Sequence, residues 1–74
     1  MSLDEKVKAL TETFELRAEI ADLIWEVDRL KEIEEEAVTN EDYEKAQTSI
    51  DVINRNKKLI KAKEKVLKEK EKLL

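Results

Sequence analysis

Apolar residues recur through the first half of the chain at intervals of three and four. Val7, Leu10, Phe14, Ala21 and Ile24 mark one seam, which Arg17 interrupts; Leu16, Ile20, Leu23, Val27 and Leu30 mark a second beside it. That period is helical. Together the two seams make an apolar face wider than a two-stranded coil uses. In the second half Tyr43, Ala46, Ile50 and Ile53 keep the spacing. Pairs seven residues apart overlap and follow them: Val52-Ile53, Leu59-Ile60, Val66-Leu67 and Leu73-Leu74. The pattern predicts two long helices. Ser2 and Glu5 have the spacing of a capping box, which starts the first helix near Leu3. Thr11 and Thr13 lower helix propensity by only about a few tenths of a kcal/mol each, so the helix runs through them.

The one good break is Thr39-Asn40, poor inside a helix and good at its start. Glu41 and Asp42 follow, and acids there suit the helix dipole. The chain is therefore expected to be all-α, one domain over residues 1–74, with a helix at about 3–38, a turn at about 39–40 and a helix at about 41–74. Folding at that turn gives a long antiparallel hairpin of coiled-coil type. Residues whose numbers total about 80 then face each other: Val7 and Leu73, Phe14 and Val66, Ala21 and Leu59, Ile20 and Ile60, Val27 and Ile53, Leu30 and Ile50. The same arithmetic sets Asn56 against Ile24, where a buried Asn can fix register. Charge agrees with this direction. Residues 1–38 carry twelve acids and five bases, whereas 41–74 carry seven and ten.

The chain has no Gly, Pro, Cys or His. Without Cys there is no disulfide or thiolate staple, and without His no His-based triad or Glu-x-x-His metal motif can be assembled. Glu32, Glu35 and Glu36 read as a solvated acidic face, so neither an enzyme nor a metal or cofactor is expected. No apolar run exceeds the three residues Leu23-Ile24-Trp25, so no membrane span is expected, and the start lacks the pattern of a secretory signal. A cytoplasmic location is the expectation. With 74 residues the core is small, and association is the common remedy. Phe14, Ile20, Leu23, Ile24, Trp25, Val27 and Leu30 form the candidate oligomer interface, two hairpins dimerising into a four-helix bundle. Trp25 is also a candidate partner anchor, since Trp is enriched at binding hot spots.

Around the turn, Ala37-Val38-Thr39-Asn40-Glu41-Asp42-Tyr43-Glu44-Lys45-Ala46 resembles the UVR motif, a small helical hairpin of bacterial excision-repair proteins and Clp-associated adaptors. Tyr43-Glu44 match its aromatic-Glu pair, Ala46 its first Ala and Asp51 its Asp. Ile50 stands where the family has Arg, and Gln47 and Ser49 replace its Ala and Leu. The resemblance covers roughly residues 27–57. It implies protein–protein binding, with Asn40, Tyr43 and Glu44 as partner-binding residues at the hairpin end. As hairpin chemistry, Asn40 or Thr39 would cap the second helix and Ala37 and Ala46 would let the helices approach. Tyr43 would cover that junction, and Glu44 would bond donors at the helix start.

The expected function is a non-enzymatic interaction module, a small adaptor, regulator or inhibitor that occupies a partner protein. One alternative is a Rop-like hairpin dimer that binds RNA through Arg55–Lys72, which holds nine bases and three acids and includes Lys61, Lys65 and Lys68. Against it stand a net charge of −4 and no aromatic residues within that stretch to stack on bases. The other alternative is a structural coiled-coil spacer.

Overall fold

A computed structural model describes residues 2–74. Helix α1 spans Leu3–Thr39 and helix α2 spans Tyr43–Glu71, folded back on each other into a rod of 58 × 14 × 12 Å. Ser2 begins α1 as expected, its hydroxyl accepting the Glu5 N–H at 3.2 Å. Thr11 and Thr13 do not interrupt it. Their hydroxyls donate to the carbonyls of Val7 and Ala9, one turn back, so neither competes for the helical N–H groups.

The helices meet along one narrow seam. On α1 it runs through Ala9, Thr13, Leu16, Ile20, Leu23, Val27, Leu30, Glu34 and Ala37, and on α2 through Ala46, Ser49, Ile53, Asn56, Ile60, Lys63, Leu67 and Lys70. Every one of these residues is buried or half-buried, and the steps alternate between three and four. This is the heptad geometry of a two-stranded coil. Ion pairs between Glu19 and Lys63 and between Glu12 and Lys70 join residues whose numbers total 82. The seam register therefore sets Ala37 level with Ala46, Leu30 with Ile53, Leu23 with Ile60 and Leu16 with Leu67. Between these apolar layers lie mixed ones: Val27 with Asn56, Ile20 with Lys63 and Thr13 with Lys70.

Two expectations are corrected here. The register is shifted by about three residues from the expected one, because the turn takes Asn40, Glu41 and Asp42 rather than Thr39 and Asn40. Asn56 is accordingly level with Val27, not Ile24. The first of the two α1 seams does not face α2. It ends at Ile24, where Asp28 and Lys31 take the next places, whereas the second continues to Ala37 beside the turn. Val7, Leu10, Phe14, Leu59, Val66 and Leu73 all remain exposed, so the pairs Val7–Leu73, Phe14–Val66 and Ala21–Leu59 lie outside the intramolecular seam.

The turn is a Schellman closure followed at once by a cap. The N–H of Asp42 bonds the Ala37 carbonyl at 2.8 Å and that of Glu41 bonds the Val38 carbonyl at 3.0 Å, which satisfies the orphan carbonyls of α1. Asp42 then serves α2, its carboxylate accepting the Lys45 N–H at 3.2 Å. The cap is therefore Asp42, not Asn40 or Thr39; the Thr39 hydroxyl is spent on the Glu35 carbonyl. The closure needs one left-handed residue, and Glu41 fills that place at φ 59°. A Cβ at that position costs about 1 kcal/mol relative to glycine.

Glu41→Gly is expected to raise unfolding stability by up to about 1 kcal/mol, a figure reduced by glycine's greater freedom in the unfolded chain. Urea titration followed by circular dichroism checks this, and a loss of stability would mean that the turn is not closed in this way. Asn56 is only 4% exposed and its Nδ2 has no hydrogen-bond partner. Asn56→Leu should therefore stabilise the fold by about 1–3 kcal/mol, the usual cost of an unmade buried hydrogen bond.

Candidate interaction surface

The hairpin divides the candidate interface residues between two roles. Ile20 and Val27 are buried in the seam and Leu23 and Leu30 are half-buried there. Phe14, Ile24 and Trp25 remain exposed, and Phe14 keeps 58% of its surface in solvent. With Leu3, Val7 and Leu10 they continue an apolar stripe along the outside of α1. From Leu3 to Ile24 that stripe is about 30 Å long at 1.5 Å per residue.

A second stripe lies on α2, where Leu59, Val66 and Leu73 are exposed and Val52 is half-buried. Sequence reasoning placed these residues inside the hairpin. The signal against that was their adjacency to Ile60, Leu67 and Leu74. Neighbours in a helix point about 100° apart, so a two-helix seam takes only one of each pair.

The two stripes are on opposite faces of the rod. On one face Ala21 and Ile24 line a groove with Arg17 and, from α2, Glu64; Arg17 also reaches Glu71 at 3.7 Å. On the other face Leu73 lines a groove with Glu5, Lys8 and Glu12. Lys63 and Lys70 lie half-buried at the seam and carry their ammonium groups out to Glu19 and Glu12, the former bond measuring 2.7 Å. Long basic side chains can bury their stems in this way. Lys61, Lys65 and Lys68 stay exposed.

Trp25 is 65% exposed, with the Arg29 guanidinium carbon 5.6 Å from its ring centroid, within cation–π range. Asp22, Glu26, Leu30 and Ile33 complete a shallow groove around that pair. Near the turn Ala37 and Ala46 are buried. Asn40, Tyr43 and Glu44 are all exposed, and any covering of that junction by Tyr43 is partial. Glu44 lies in the first turn of α2, a favourable place for a negative charge. Among the described residues no group of acidic side chains is placed to hold a metal ion, and no helix is long and apolar enough to cross a membrane.

A scan against protein-family models finds no match, and searches of curated proteins and of solved structures find none.

The hydrogen bond from Lys70 holds the Glu12 carboxyl below its ordinary value, opposed by partial desolvation and helped by the charges of Lys70 and Lys8. A carboxyl depressed in the folded state stabilises the fold at pH values above its unfolded pKa. That contribution is lost as pH falls through the folded value. Carbon-detected NMR titration should show Glu12 titrating lower than an isolated glutamate, and Lys70→Met should return it to the ordinary range. An unchanged titration in Lys70→Met would mean that the ion pair does not persist in solution.

Proposed function

We propose that the chain is a non-enzymatic protein–protein interaction module, working in a homodimer or larger homo-oligomer and acting on a partner protein by occupying it. The observation that carries this is the uncovered stripe on α1, from Leu3 through Val7, Leu10 and Phe14 to Ile24, with Trp25 beside it. An apolar strip of this length, broken only at Arg17, on so small a protein is the mark of an interaction site. Its exposure also leaves the hairpin with little buried apolar surface, because the described residues form a single intramolecular seam with polar residues in every second layer. Association of two hairpins into a four-helix assembly supplies the missing burial.

Partner specificity has two candidate places. Trp25 with Arg29 offers an aromatic and guanidinium pair, the side-chain types that dominate binding hot spots. The exposure of Tyr43 and Glu44 supports the second, the hairpin end to which the UVR resemblance points. The exposed Lys61, Lys65 and Lys68 are what an RNA-binding alternative would use. Binding to a basic patch of that kind would fade with added salt.

Sedimentation equilibrium at micromolar concentration should give a mass above the 8.7 kDa of one chain. A folded monomer throughout that range would remove self-association from the proposal. For the partner site, Trp25→Ala and Glu44→Ala are compared in a binding assay with dimer mass monitored. Loss of capture by Trp25→Ala alone places specificity on α1, and loss by Glu44→Ala alone places it at the turn.

A further inference from the structure

Both exposed stripes repeat every seven residues, Val7, Phe14 and Ala21 on α1 and Leu59, Val66 and Leu73 on α2. They also stand at the same heights along the rod. Val7 is within about a helical turn of the level of Leu73, as are Phe14 with Val66 and Ala21 with Leu59, in the register that the Glu19–Lys63 ion pair fixes. Inside one hairpin these residues do not meet, since the stripes occupy opposite faces. Two hairpins lying side by side in the same direction, without sliding, bring them together.

We infer that copies of this chain associate face to back, the α1 stripe of one hairpin seated on the α2 stripe of the next. This rests on the self-association proposed above and specifies its geometry. Charge weighs against the two-fold contact of α2 with α2. Around the α1 stripe acids and bases balance, Asp4, Glu15 and Asp22 against Lys6, Lys8 and Arg17, whereas Lys58, Lys65 and Lys72 edge the α2 stripe at seven-residue spacing, with Glu69 between Val66 and Leu73. A contact of α2 with α2 sets those lysines against lysines, and one of α1 with α1 leaves the α2 stripe uncovered. Like charges facing each other across an interface are disfavoured. The offset contact instead sets the lysines against a surface with acids of its own and covers both stripes. Because the two surfaces differ, each added copy leaves a fresh stripe at either edge. Such a head-to-tail contact grows as an open row unless its rotation closes a ring.

Phe14→Glu and Val66→Glu separate the possibilities. Phe14 is 58% exposed and Val66 42%, so both variants should keep the helicity of the parent. By sedimentation velocity, the wild-type mass should rise with concentration past two chains. Each variant alone should sediment as a monomer, since each lacks one of the two surfaces. An equimolar mixture should form a dimer and stop there, because the intact α2 of the Phe14→Glu chain meets the intact α1 of the Val66→Glu chain. A dimer that survives in Val66→Glu but not in Phe14→Glu would reveal a two-fold α1 contact, overturning the offset arrangement while leaving self-association standing. Dimers in both single variants, or a mixture that stays monomeric, overturn it equally. A monomeric wild type at all concentrations overturns both readings.

Discussion

Two helices can hide only one stripe of each from water, and this limit governs the whole molecule. A pair of cylinders touches along a line, so any apolar residue more than about 100° around the helix from that line stays wet. The chain carries more apolar periodicity than one line can use. One seam becomes the core and the surplus becomes surface. The same limit explains why candidate interface residues such as Ile20 and Phe14, only six positions apart, end in opposite environments.

The core that results is economical in apolar residues. Along α2 every second seam position is polar: Ser49, Asn56, Lys63 and Lys70. The two lysines escape to glutamates at the edge and the serine hydroxyl donates to the Lys45 carbonyl, but the Asn56 amide nitrogen has nothing to bond. Such a row weakens the pairing and sharpens its alignment. Sliding α2 by a single seam step would set the lysine positions level with Leu16 and Leu23 and leave their ammonium groups away from Glu12 and Glu19. Polar groups in a coiled-coil seam commonly fix alignment at a cost in stability.

Much of the fold was legible in the sequence and the details were not. The absence of Gly and Pro, the three-and-four spacing and the opposite charge of the two halves led to an antiparallel helical pair. The choice between the two α1 seams was harder, because both have good apolar residues from Phe14 onward. The structure takes the second, which alone continues past Ile24 through Val27, Leu30 and Glu34 to Ala37 beside the turn. The turn itself was misplaced by two residues because Glu41 gives no warning: a left-handed position is usually announced by Gly or Asn. Of the candidate site, Trp25 was visible as an aromatic anchor and Tyr43 through the motif it belongs to, whereas the α2 stripe was hidden by an arithmetic that paired it inward.

The closure at Asn40, Glu41 and Asp42 contains no residue that forbids a helix. Returning Glu41 to a right-handed conformation would relieve its backbone and join α1 to α2 as one rod of about 110 Å. From Ala37 to Ala46 that rod would make about two and a half turns, so the seam of α2 would face away from the side on which the seam of α1 lies. A straight partner would cover one seam or the other but not both, and straightening would give up half of the core. The short turn thus does more than reverse the chain: its three residues also bring α2 round about its own axis so that the two seams meet.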